Sequence, residues 1–132
     1  MFGGKELARA ADKLAMEFEA ETGDKPRFAA NGYQEAGRLA FYLPGQPRVY
    51  GFFVEARKNH YVFWNEDRPA QRGENFVLAL DFRMRDDKER PQFARMFERI
   101  EGPEEVPIFV LPSDTEPAHT YYLYRLYGYR GG

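Results

Sequence analysis

The residues best able to do chemistry lie in one run, Arg57-Lys58-Asn59-His60-Tyr61-Val62-Phe63-Trp64, and at one junction, Asn31-Gly32-Tyr33. The run gathers cations, an amide, an imidazole and aromatic rings. Such a set can hydrogen-bond to, and stack on, a polar ligand or a partner surface. The junction places an amide and a phenol where a strand reads into a helix, a position from which α/β proteins often hold small polar groups. Asn31, Tyr33, Arg57, Asn59, His60, Tyr61 and Trp64 therefore form the candidate ligand or partner surface. A plainer reading competes and is preferred: Tyr61, Phe63 and Trp64 anchor a long crossover on a sheet while Arg57 and Lys58 face water.

Reaction chemistry is not legible beyond that. The strand-to-helix junction has neither G-x-G-x-x-G nor G-x-x-x-x-G-K-S/T, which argues against a standard dinucleotide or nucleoside triphosphate site. There is no cysteine, so disulfides, thiolate nucleophiles and thiolate metal sites are excluded. No G-x-S-x-G elbow occurs. The two histidines, His60 and His119, do not share an H-x-x-x-H spacing. Asp114-Thr115-Glu116 has the form of an acidic pair that can hold a metal, but its neighbours Pro112, Ser113 and Pro117 make it an ordinary turn. No catalytic residue, no metal ligand and no cofactor is expected.

The bulk properties narrow the class. The 132 residues suit one domain, and the net charge of −2 is mixed, so a nucleic-acid footprint is not expected. Aromatic residues make up 17% of the chain, and packing in a small core explains them better than a carbohydrate-stacking surface does. No apolar run approaches the roughly 18 residues of a membrane helix. No signal peptide is visible, because Met1-Phe2-Gly3-Gly4-Lys5 runs straight into an amphipathic pattern.

The elements that must position the candidate residues follow from periodicity. Leu7, Ala11, Leu14 and Phe18 make one apolar stripe, so Lys5 to Thr22 reads as a helix stopped by Gly23. Arg27 to Asn31 reads as a strand, Tyr33 to Tyr42 as a helix, and Arg48 to Phe53 as a second strand. Pro44-Gly45 breaks the helix before that second strand. This is a βαβ unit, which implies parallel pairing. Val54 to Gly73 is irregular, and Phe76 to Leu80 is a fully buried strand. Arg83 to Arg90 reads as a solvated loop, Pro91 to Glu101 as a helix ended by Gly102-Pro103, and Val106 to Leu111 as a buried strand. Pro112 to Ala118 reads as a loop. In His119 to Tyr129 the alternation puts Tyr121, Leu123, Arg125, Tyr127 and Tyr129 on one face of a terminal strand. The expected fold is α/β: a three-layer sandwich whose mostly parallel sheet of about five strands ends in an antiparallel C-terminal edge strand. A tyrosine-rich edge could also pair with a second copy of the chain.

The run Gly32 to Tyr50, with its Leu-Ala-Phe-Tyr-Leu-Pro-Gly-Gln-Pro core, resembles the C-terminal soluble region of bacterial membrane glycosyltransferases. These are the family of the dolichyl-phosphate-mannose protein mannosyltransferase type, with relatives such as the aminoarabinose transferase of lipid A. Arg57 to Trp64 is similar to that family's R-x-N-Q-Y-D-x-W segment, with His60 in place of the usual Gln and Val62 in place of the usual Asp. The resemblance implies a single domain, residues 1 to 132, excised from a larger membrane protein and facing the periplasm or the outside. Its partners would be the membrane domain of the same parent and a lipid-linked sugar or glycan acceptor. The family's catalytic acid and lipid-phosphate sites belong to the membrane domain and its first extracytoplasmic loops, so no catalytic residue carries over to this chain. Apart from the resemblance, the residues also allow a stand-alone soluble module that binds a sugar or another small polar ligand.

Overall fold

The computed structural model describes residues 4–45, 47, 49–55, 60–64, 70–108 and 119–130. Helix α1 (Gly4–Thr22) forms where the apolar stripe requires it. Leu7, Ala8, Ala11, Leu14, Ala15 and Phe18 are all buried. The helix ends as Gly23 turns left-handed at φ 82 and its N–H reaches back to the Glu19 carbonyl at 2.8 Å, a role that suits a residue without Cβ. Strand β1 (Arg27–Asn31) then leads directly into α2 (Gly32–Tyr42). Leu43 leaves the helix at ψ 143, as the following proline demands.

Strand β2 (Val49–Glu55) returns parallel to β1, with Phe28 opposite Val49 and Asn31 opposite Phe52. Strand β3 (His60–Trp64) folds back antiparallel on β2 as a hairpin. Where the sequence predicts irregular chain from Val54 to Gly73, residues His60–Trp64 are a regular strand. Its β-branched and aromatic residues pair instead with β2, whose outer edge would otherwise be open. Strand β4 (Phe76–Leu80) lies parallel to β1 on the other side, and all five of its residues are buried. Helix α3 (Glu89–Met96) precedes β5 (Phe97–Ile108), and β6 (His119–Tyr129) closes the order β3-β2-β1-β4-β6-β5. The result is one open mixed α/β sheet of six strands among the described residues.

Two expectations require correction. The edge strands β3 and β5 are antiparallel, but the C-terminal strand is not at an edge: β6 lies between β4 and β5. The edge pairing imagined for a second copy is therefore taken up by the chain's own β5. In addition, the helix expected over Pro91 to Glu101 stops at Met96. Within that helix only Glu89 and Phe93 are buried, so little holds it there. From Phe97 onward the chain gains more by pairing with β6, where Phe97 opposes Tyr129 and Arg99 opposes Tyr127. Tertiary pairing overrides a weak local helix preference.

Among the described residues, apolar clusters lie on both faces of the sheet. One apolar cluster joins α1 and α2 to Phe28, Ala30, Val77, Ala79, Val106, Ile108, Tyr121 and Leu123. The second joins Phe93 of α3 and Met84 to Ala29, Tyr50, Phe76, Leu78, Leu80, Phe97, Tyr124, Leu126 and Tyr129. Helical cover of this second face, among the described residues, is the eight-residue α3 rather than a full layer.

Two glycines decide which face the β5 and β6 side chains join. The β5–β6 register slips between Glu101 and Glu104, where Gly102 sits at φ 117. That one extra residue turns Val106 and Ile108 toward α1, although Ile100 packs on the opposite cluster. A bulge exchanges the faces of every later side chain. At Gly128, φ is 62. Tyr127 packs with the α1 cluster while Tyr129 packs with the α3 cluster. The single tyrosine face read from alternation therefore ends before Tyr129.

Candidate functional site

The carboxyl ends of the parallel strands gather most of the described candidate residues. Asn31 ends β1 with extended backbone (φ −75, ψ 103), and its side chain makes no capping hydrogen bond to α2. It is exposed. Tyr33 lies in the first turn of α2, immediately above the sheet end. On the other side, β2 continues three residues past the Asn31–Phe52 pair and meets His60 opposite Glu55. The hairpin end carrying His60 thus stands beside the entrance to α2. Tyr61 pairs with Val54 and Trp64 with Gly51, so Trp64 sits lower, level with the body of the sheet. Arg57 and Asn59 lie outside the described residues, as do Pro112 to Ala118 and the Asp114–Glu116 turn.

One residue that sequence reasoning passed over belongs to this end. Ala30 pairs with Ala79, so Asn31 and Asp81 stand one and two positions beyond that pair. Asp81 is exposed. The available signal was its place directly after the buried run Phe76 to Leu80, where a parallel strand leaves the sheet. The start of β6 reaches the same end, because Leu80 pairs with Tyr122. His119 is three residues before that tyrosine and packs edge-on against Tyr121, with ring centroids 4.6 Å apart.

The strands β1 and β4 part at this point. After β1 the chain crosses on the α1 side, where Ala36, Leu39 and Leu43 of α2 are buried. After β4 it crosses on the other side, where Met84 and Phe93 are buried. Adjacent parallel strands whose connections leave to opposite faces open a crevice at their carboxyl ends, and open α/β sheets bind ligands in such crevices. The β4 side of the crevice is held in place. The Met84 N–H donates to the Tyr124 hydroxyl at 2.8 Å. Next to it, Glu89 accepts from the Arg85 N–H at 2.9 Å and from its guanidinium at 2.9 Å. Hydrogen bonding from the Arg85 side chain, opposed by burial, holds the Glu89 carboxyl at about 2, against its ordinary 4.5.

A second concavity lies on the α1 face. A groove of about 400 Å³ runs between α1 and the β5 bulge, lined by Leu14, Glu17, Glu101, Gly102, Pro103, Glu104, Leu123 and Arg125. At its rim Tyr127 donates to Glu21 at 2.6 Å, Arg125 reaches Glu101 at 3.1 Å, and Arg99 stacks 3.9 Å from the centroid of the Tyr127 ring. Burial, and then the Glu21 carboxylate, push the Tyr127 phenol above its ordinary 10.0, so it is protonated at neutral pH. The network clamps the end of α1 onto β5 and β6. Among the described residues, no group of three or more His, Cys, Asp or Glu side chains is arranged to hold a metal ion, and no helix is long and apolar enough to cross a membrane.

Comparison with protein-family models, with curated proteins and with solved structures finds no match.

Proposed function

We propose that the chain is an accessory extracytoplasmic domain of a membrane glycosyltransferase that draws sugar from a polyprenyl-phosphate carrier. In this reading it lies on the periplasmic side of the bacterial inner membrane, against the membrane domain of its own parent protein. It helps to seat the acceptor or packs on that domain, and the transfer chemistry is done elsewhere.

One observation carries the proposal. The two segments that resemble the family, Gly32 to Tyr50 and Arg57 to Trp64, lie six residues apart in sequence and adjoin in the fold through the β2–β3 hairpin. The first supplies α2 and the start of β2, and the second supplies β3, paired to β2. Both reach the carboxyl end of β1 and β2. A shared surface is what a common role for the two motifs requires.

The direct test is the reading frame upstream of the Met1 codon. It should encode many apolar helices continuous with this chain, and an independent reading frame starting at Met1 would overturn the proposal. A second reading, a stand-alone module for a sugar or another small polar ligand, is favoured by the crevice between β1 and β4. A thermal-shift screen with free sugars, nucleotides and lipid-linked sugar fragments separates the two. Only the second reading expects stabilisation by a small ligand alone, about 2.7 kcal/mol at a hundredfold excess over the dissociation constant.

A further inference from the structure

The two edges of the sheet are not alike. At one edge, β5 carries Pro103 and Pro107, which lack the N–H that another strand would pair with. Its register slips beside Gly102, and Glu98, Glu101, Glu104 and Glu105 outnumber its single arginine. Prolines, bulges and charges are the devices that keep an edge from recruiting a further strand. At the other edge, β3 has none of them. His60-Tyr61-Val62-Phe63-Trp64 contains no proline, glycine, lysine, arginine or carboxylate, and its pairing with β2 runs without a slip from Gly51–Trp64 to Glu55–His60. Among the described residues no strand lies beyond it. Helix α3 approaches β3 but belongs to one face of the sheet, and a helix on a face does not take up the in-plane N–H and C=O groups of an edge.

We infer that β3 is an interface for a second copy of this chain, paired antiparallel with its own counterpart about a two-fold axis at Val62. That register uses all five residues of the strand: His60 stands opposite Trp64, Tyr61 opposite Phe63, and Val62 opposite itself. Aromatic and β-branched residues at such positions are favourable cross-strand neighbours, and a two-fold interface presents one patch to itself. The flanking sequence selects the same partner by charge. Arg57 and Lys58 precede the strand, and Glu66 and Asp67 follow it. Counted outward from Val62, the same register matches Lys58 with Glu66 and Arg57 with Asp67, and the two-fold axis repeats both matches. An antiparallel copy therefore meets opposite charge at each end, whereas a parallel copy meets like charge. The run Arg57 to Trp64, read from the sequence as a ligand or partner surface, becomes a contact between copies. It depends on neither a membrane parent nor a small ligand.

The test is the mass of the full chain by sedimentation velocity over a wide range of concentration. Fluorescence of Trp64, the sole tryptophan, is followed on dilution. The parent should reach the mass of two copies and separate on dilution, more readily at high salt. Arg57→Glu with Lys58→Glu, and separately Glu66→Lys with Asp67→Lys, should each weaken the dimer at least about tenfold, because like charges then face each other at both ends. Mixing the two variants should restore the two-copy mass as a heterodimer. Glu105→Lys, at the other edge, should leave dissociation unchanged. Unfolding midpoints of the separated copies distinguish a lost interface from a lost fold, and recovery on mixing does so independently. A one-copy mass at every concentration overturns the inference and leaves the edge to a different strand, such as one from the parent protein. A two-copy mass that both variants keep, or that mixing fails to restore, overturns it too. Upstream membrane helices with a one-copy chain would defeat this interface and leave the accessory role standing. A dimer encoded by an independent reading frame would do the reverse.

Discussion

Tyr124 accepts a hydrogen bond from the Met84 N–H at 2.8 Å, and this contact ties the segment leaving β4 to the middle of β6. The two residues are forty positions apart, and both are buried. Burial holds the Tyr124 phenol above its ordinary 10.0, so it remains a neutral partner at neutral pH. The contact fixes where the chain turns after Asp81, and therefore one wall of the crevice.

Tyr124→Phe should lower stability by about 1–2 kcal/mol, because it leaves a buried N–H without its acceptor. Urea unfolding followed by fluorescence measures the loss. Hydrogen exchange at the Met84 amide should rise more than exchange in β1. An unchanged midpoint would show that the tie carries no stability.

Two glycine substitutions should move stability in opposite directions. At Gly102, φ is 117 and an added Cβ would meet the Leu123 carbonyl oxygen at 2.9 Å. Gly102→Ala should therefore cost more than about 1 kcal/mol. Gly37, inside α2, has nothing within 4 Å of its added Cβ, and Gly37→Ala should stabilise by roughly 0.5–1 kcal/mol. Thermal unfolding of the pair gives both signs in one experiment.

Acid should weaken the fold through Glu89. Its carboxyl lies at about 2 in the folded chain against 4.5 ordinarily. A depressed folded value stabilises above the unfolded one, and that contribution fades as pH falls from 4.5 toward 2. Arg85 is 59% exposed, so solvent screening limits the ion-pair contribution to about 1 kcal/mol. Glu89→Gln should flatten the pH dependence of the urea midpoint between about pH 5 and about pH 2.5. If the variant keeps the parent's slope there, another carboxylate is responsible.

The clamp on α1 should be weak and salt-sensitive. Glu21 accepts from Tyr127 at 2.6 Å but is 44% exposed. Glu21→Gln and Tyr127→Phe should each cost about 0.5–1 kcal/mol. A double-mutant cycle should give a coupling that shrinks at high salt. Additive effects at low salt would mean that the two residues act separately.

Much of the local structure was legible because it rests on short-range signals. The stripe of α1, the turn at Pro44-Gly45 and the buried run of β4 each carry their own periodicity or stop residue. The β1–α2–β2 unit was readable for the same reason. The candidate site was legible only in part. Asn31, Tyr33 and His60 do converge on one end of the sheet, yet the place of Asp81 at that end was invisible, because it follows only from the β1–β4 register. Trp64 shares a run with His60 but sits four positions further along β3, away from that end.

The sequence by itself determined the α/β class, the leading helix, the parallel unit and the span of the last strand, since backbone conformation there follows from spacing and from proline and glycine. Only the tertiary structure decided the rest. Strand order is a long-range choice, and it put β6 inside the sheet, between the fully buried β4 and a β5 of matching length. The bulge at Gly102 and the left-handed Gly128 then set which faces Val106, Ile108 and Tyr129 join. No periodicity encodes that, because one extra residue in a strand exchanges its two faces.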